Sequence, residues 1–136
     1  MNAAEWALEL ADTLAHSGHG LAQVTVASFR NAAGRDEIVE TAVNITAIAG
    51  WPLCELSATS VDPDPSVLPE AGFVIVRDVD VPLPTAVPVL MGAFQHLVQR
   101  DLPVGLLVVG TTRGIRALRS HPAMGFLGRA ESVIQT

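Results

Sequence analysis

The sequence predicts an α/β domain in which a doubly wound, mainly parallel sheet lies between two layers of helices. Three observations carry this. After an opening helix, strand-like and helix-like periodicities alternate along the chain. Two of the strand-like runs, FVIV at 73–76 and VGLLVV at 104–109, contain no polar side chain, which suits strands covered on both faces. Right-handed crossovers between such strands place helices on both sides of the sheet and leave the strand exits at one end, where ligands of these folds bind.

Residues 2–17 read as a helix, because Asn2 can cap it, Glu5 stands at the capping-box position and Ala7, Leu10, Ala11 and Leu14 form one apolar stripe. LAQVTVAS at 21–28 is the first strand. FRNAAGR at 29–35 reads as a small-residue turn, and a second helix runs over about 36–49, with Ile38, Val39, Ala42, Val43, Thr46 and Ala49 inward and Gly50 as its stop. WPLCELS at 51–57 is a short strand. The stretch 59–72, with Pro63, Pro65, Pro69 and three acids, reads as a surface connection holding at most one helical turn. Strand 73–76 exits through Arg77, Asp78, Val79 and Asp80. The segment 85–100 is a third long helix, which admits Pro88 only in its first turn. Strand 104–109, a turn over 110–113, a short helix over 115–120 and a fifth strand over 132–136 complete the chain.

Composition narrows the function. The 136 residues, 49% hydrophobic and 16% charged, make one globular domain, 1–136, large enough to hold its fold without metal or disulfide. Its single cysteine, Cys54, reads as a small core thiol. All eight basic residues are arginine. Without lysine no Schiff base can form on a side-chain amine, and no standard phosphate-binding loop is complete. A formal charge of −6 argues against direct nucleic-acid binding except where arginines cluster. No apolar run reaches the ~20 residues of a membrane span, and the acidic amphipathic start is unlike a signal peptide. The expected setting is cytoplasmic, away from membranes.

At the strand exits, FRNAAGRDEIV has the context of a phosphate-binding loop: strand, small-residue turn, helix. On the G-x-x-x-x-G-K-[ST] pattern, Phe29 stands for the first glycine, Gly34 for the second, Arg35 for the lysine and Asp36 for the hydroxyl. The other reading of Gly34 and Arg35 is an ordinary strand-to-helix turn with a solvated arginine. Asp78 and Asp80 fit either a cation role or capping of the next segment. Arg113, Arg116 and Arg119 recur every three residues along the last helix, as a solvated face or as a site for an acidic partner or a nucleic-acid phosphate backbone. His16, His19, His96 and His121 are too scattered for a zinc set. Ser28, Ser57 and Ser132 lack a nucleophile-elbow context, and Trp6 and Trp51 read as core or interface anchors.

In the order of WALELADTLAHSG, FRNAAGRD, FVIVRDVD, LLVVGTT and FLGRAESVIQT, the chain resembles the ATPase core of the AAA+ family, a branch of the P-loop NTPases, and especially its degenerate members such as clamp-loader delta subunits and origin-recognition-type ATPases. The resemblance spans nearly all of the sequence. It implies a five-stranded sheet in the order 5-1-4-3-2. It matches Asp78 to the aspartate that positions magnesium, Thr111 or Thr112 to the polar sensor after the fourth strand, and Arg129 to the arginine that reaches a neighbouring subunit. Four departures accompany it: Val79 replaces the catalytic glutamate, arginine replaces the lysine, the helical lid is missing, and the proline-rich connection over 59–72 is shorter than the helical crossover usual there. The function expected is a non-catalytic nucleotide-binding or protein-assembly module. Its cofactor is ATP or ADP with magnesium held through Asp78, or none where the motif is fully eroded, and its partner is another protein or a second copy. The alternatives are an active ATP-dependent switch using Arg35 and Asp36, or an unrelated doubly wound domain that binds a small molecule at the same exits.

Overall fold

A computed structural model describes residues 2–16, 23–60, 68–100, 102–122 and 132–135. Helix α1 (Ala3–His16) starts from Asn2, whose Oδ1 accepts the Glu5 backbone N–H at 2.8 Å while its Nδ2 donates to Glu5 Oε1 at 3.3 Å. The cap expected at Asn2 is therefore formed. Then come β1 (Gln23–Phe29), α2 (Ala32–Ala49), β2 (Leu53–Ser57), β3 (Gly72–Val79), α3 (Ala86–Gln99), β4 (Val104–Thr111), α4 (Thr112–Ser120) and β5 (Ser132–Gln135). Strands β2, β3, β4 and β1 lie side by side as an all-parallel sheet, and β5 pairs in parallel along the far edge of β1, from Thr25↔Ser132 to Ser28↔Gln135.

Each central strand feeds two cores, because successive side chains leave a strand on opposite faces. Phe73, Ile75, Ala27, Leu107 and Val109 meet Trp6, Leu10 and Leu14 of α1 and Ile38 and Ala42 of α2. On the other face Val74, Val76, Val26, Leu106 and Val108 meet Val87, Leu90, Met91 and Phe94 of α3 and Ile115 and Leu118 of α4. This three-layer arrangement explains the polar-free runs in β3 and β4. Trp6 is fully buried, and its indole Nε1 donates to the buried Thr25 hydroxyl at 3.0 Å, so this buried polar side chain of β1 is satisfied. Trp51 and Cys54 are only partly buried, each packed against one of the cores.

The boundaries correct the sequence reading in three places. The turn expected over 29–35 shrinks to Arg30 and Asn31, because α2 begins at Ala32 and not at Asp36. Asn31 caps it, with Oδ1 accepting the Gly34 N–H at 2.9 Å. Asn31 had the right residue type for a cap, three residues ahead of an amide it can take. The turn expected over 110–113 also vanishes: β4 runs through Thr111 and α4 starts at Thr112, with Thr111 as its cap. Strand β3 extends to Val79 through an irregularity, so Asp78 lies within it. Gly50 does stop α2, with φ of 75° and its N–H donated to the Ala47 and Thr46 carbonyls. Residues 61–67 of the proline-rich connection lie outside the described residues.

Candidate functional site

The exits of β3 and β4 meet at a bulge. Val76 pairs with Val108, and the next pair is Val79 with Gly110, so β3 advances three residues while β4 advances two. The extra residue reverses the alternation of faces. With strict alternation Val79 would point to the face opposite Val76; instead both belong to the α3/α4 core, and Val79 is fully buried. Asp78 absorbs the bulge with φ of 64°, a left-handed conformation that aspartate tolerates better than most residues.

The two aspartates thereby face different partners. Asp78, half-buried, accepts a 2.6 Å hydrogen bond from the Ser57 hydroxyl at the end of β2, and Ser57 is also 3.0 Å from the Thr59 hydroxyl. Asp80, exposed, accepts the Thr111 hydroxyl at 2.7 Å and the Val81 N–H at 2.8 Å. Thr111 Oγ1 in turn accepts the Gly114 N–H at 3.0 Å. A chain of hydrogen bonds thus ties the exit of β3 to the first turn of α4. The hydroxyl of Thr111, the backbone N–H of Val81 and the nearby Arg113 together hold the Asp80 carboxyl below the usual carboxylate range.

Glycines make this closure possible. A Cβ at Gly110 would press on the Val79 carbonyl and lie 2.8 Å from Val79 Cβ; one at Gly114 would meet the same carbonyl and lie 2.6 Å from Asp80 Cα. The β3 exit and the start of α4 are in backbone contact, with Val79 sealed between the sheet and α4.

Gly34, Arg35 and Asp36 lie apart from this cluster in chain and in role. They occupy the first turns of α2, with the Gly34 amide taken by Asn31. Arg35 Nε donates to Asp36 Oδ1 at 3.1 Å, and its guanidinium lies 5.9 Å from the centre of the Phe29 ring. Thr112 is exposed on α4, next to Thr111. Arg129 and His19 lie outside the described residues, which bears on the expected neighbour contact and on the histidines. Among the described residues no group of three or more His, Cys, Asp or Glu side chains is placed to hold a metal ion, and no helix is long and apolar enough to cross a membrane.

Sequence reasoning found Asp78, Asp80 and Thr111 but not their pairing. Ser57 meets Asp78 across 21 positions, through the β2–β3 register that sets Ser57 opposite Arg77. No local pattern encodes that meeting. The Arg77–Glu55 pair beside it, Nε to Oε2 at 3.6 Å, arises from the same register. No family model matches the chain, and no curated protein matches it.

Proposed function

We propose that the chain is a non-catalytic binding or assembly module built on a P-loop NTPase-like, AAA+-related core, in which the positions of the phosphate and hydrolysis machinery have become structural. The reading draws support from the strand succession β2-β3-β4-β1-β5, which sets the first strand between the fourth and the fifth. It draws further support from the placement of Asp78 and Thr111 at neighbouring strand exits.

The observation that carries the loss of catalysis is the connection from β1 to α2. Two residues, Arg30 and Asn31, separate Phe29 from Ala32, too short a span to wrap backbone amides around a phosphate chain. The amide of Gly34, which the motif would turn toward phosphate, already serves the Asn31 cap. At the other end of the site, Val79 stands where the resemblance calls for a general base, and it points into the core. An apolar side chain there can neither orient nor deprotonate a water.

The alternative of an active switch relies on Arg35 and Asp36. Those two side chains are occupied with each other on the surface of α2, and a carboxylate beside a phosphate chain would repel it. The test is calorimetric titration with ATP, with and without magnesium, alongside a phosphate-release assay across a range of protein concentrations. The module reading expects no turnover at any concentration. Turnover that scales with protein and disappears in Asp78→Ala would overturn it.

A further inference from the structure

We propose that the flank of α4 carries a site for a small phosphate monoester, separate from the Asp80–Thr111 cluster. A pocket of about 280 Å³ opens between α4 and the carboxyl half of β1. Its floor is apolar, from Val26 and Ile115; its polar lining includes Thr112, Arg116, Arg119 and Ser120 of α4 and Ser28 of β1. Thr112, Arg116 and Arg119 follow one another at helical spacing, so their side chains stand in one row along the helix. Nine residues of α4 span about 13 Å, and the row runs over most of that length.

Charge selects the ligand. The protein is acidic overall, yet α4 carries three of the eight arginines within nine residues and no acid. Arg35 and Arg77 elsewhere have carboxylate partners, and Arg113 lies near Asp80. Among the described residues neither Arg116 nor Arg119 has one, and both are exposed. Two guanidinium groups beside the exposed Thr112 hydroxyl form a donor-rich wall that matches a tetrahedral dianion, since each guanidinium can give two parallel N–H bonds to adjacent phosphate oxygens. The apolar floor suits the organic part of the molecule. The volume is just below the usual range for drug-sized ligands, which points to one phosphorylated metabolite-sized group and not to a dinucleotide. The site does not depend on the P-loop-like reading, because none of its geometry uses the β1–α2 connection, Asp78 or Val79.

The experiment is a titration of the full chain with phenyl phosphate, followed by two-dimensional amide NMR, with inorganic phosphate and phenol as parallel arms. Two variants accompany it: Arg116→Gln with Arg119→Gln, which keeps the side-chain stems, and Arg30→Gln with Arg100→Gln, which removes the same charge from exposed positions elsewhere. The expected result is saturable shifts centred on α4 and the end of β1. Phenyl phosphate should bind more tightly than inorganic phosphate, and phenol should give no response. The α4 variant should bind at least about tenfold more weakly, as loss of charge-assisted hydrogen bonds requires, and the control variant within about twofold of wild type. Absence of saturable shifts, or equal weakening in the two variants, overturns the proposal. An α4 variant whose amide spectrum retains the wild-type dispersion excludes unfolding as the cause of lost binding. ATP turnover has no bearing on any of these outcomes.

Discussion

Val79→Glu separates a repairable active site from a structural one. If the valine merely occupied the place of a missing base, glutamate would be accommodated and the β3 exit would keep its shape. The structure predicts otherwise. Val79 is fully buried, and its backbone is in contact with the positions of Gly110 and Gly114, which have no side chains to move aside. Removing the valine packing costs about 2 kcal/mol. An ionised carboxylate forced into the same space without a partner costs several kcal/mol more after relaxation. The sum, at least about 4 kcal/mol, is a large share of the ~5–15 kcal/mol that holds a domain of this kind folded. Urea denaturation of wild type, Val79→Ala and Val79→Glu checks this at neutral pH. Alanine should lose about 2 kcal/mol, glutamate at least twice that, and no ATP turnover should appear. A buried glutamate has its folded pKa raised, so the folded state retains a proton that the unfolded chain has released. The gap between Val79→Glu and wild type should therefore narrow as pH falls toward about 4. A Val79→Glu protein within 1 kcal/mol of wild type at neutral pH would refute the sealed-exit argument, and one that hydrolyses ATP would refute the account of the β1–α2 connection as well.

Three further outcomes follow from particular contacts. Trp6→Phe keeps the ring in the core but leaves the buried Thr25 hydroxyl without its indole donor, which should cost about 1–3 kcal/mol in urea denaturation; Trp6→Phe combined with Thr25→Val should recover part of that loss. Thr111→Val removes both the cap on Gly114 and the bond to Asp80, for a loss of about 1–2 kcal/mol, and amide hydrogen exchange should place the new opening in the first turn of α4. Asp80 has a lowered folded pKa, so its contribution is present above the unfolded value near 4 and lost as pH falls through the folded value. The stability difference between wild type and Asp80→Asn should be visible at pH 6 and shrink below about pH 4; a difference independent of pH would show that the carboxylate charge is not what the Thr111 hydroxyl and the Val81 amide hold.

The alternation of helix and strand, the coverage of both sheet faces and most element cores were legible in the sequence, because they depend on periodicity and local composition. FVIV and VGLLVV can satisfy their apolar side chains only between two helical layers, and Asn2 and Gly50 act within a few residues of themselves, through capping and a left-handed turn. The starts of α2 and α4 were less legible. The run Ala32–Arg35 resembles a small-residue loop until the Asn31 cap is recognised, and Thr111–Arg113 resembles a turn until Asp80 is seen to hold Thr111 in place. Tertiary structure decided the site. A bulge of one residue in β3, stabilised through pairing with β4, turned Val79 into the core, aimed Asp78 at Ser57 on one neighbour and left Asp80 to Thr111 on the other. It was also the packing of α4 across β1 that converted a row of arginines into one wall of a pocket. Such meetings depend on register and closeness between segments far apart in the chain, and a one-dimensional pattern carries the residues that take part without saying which of them will touch.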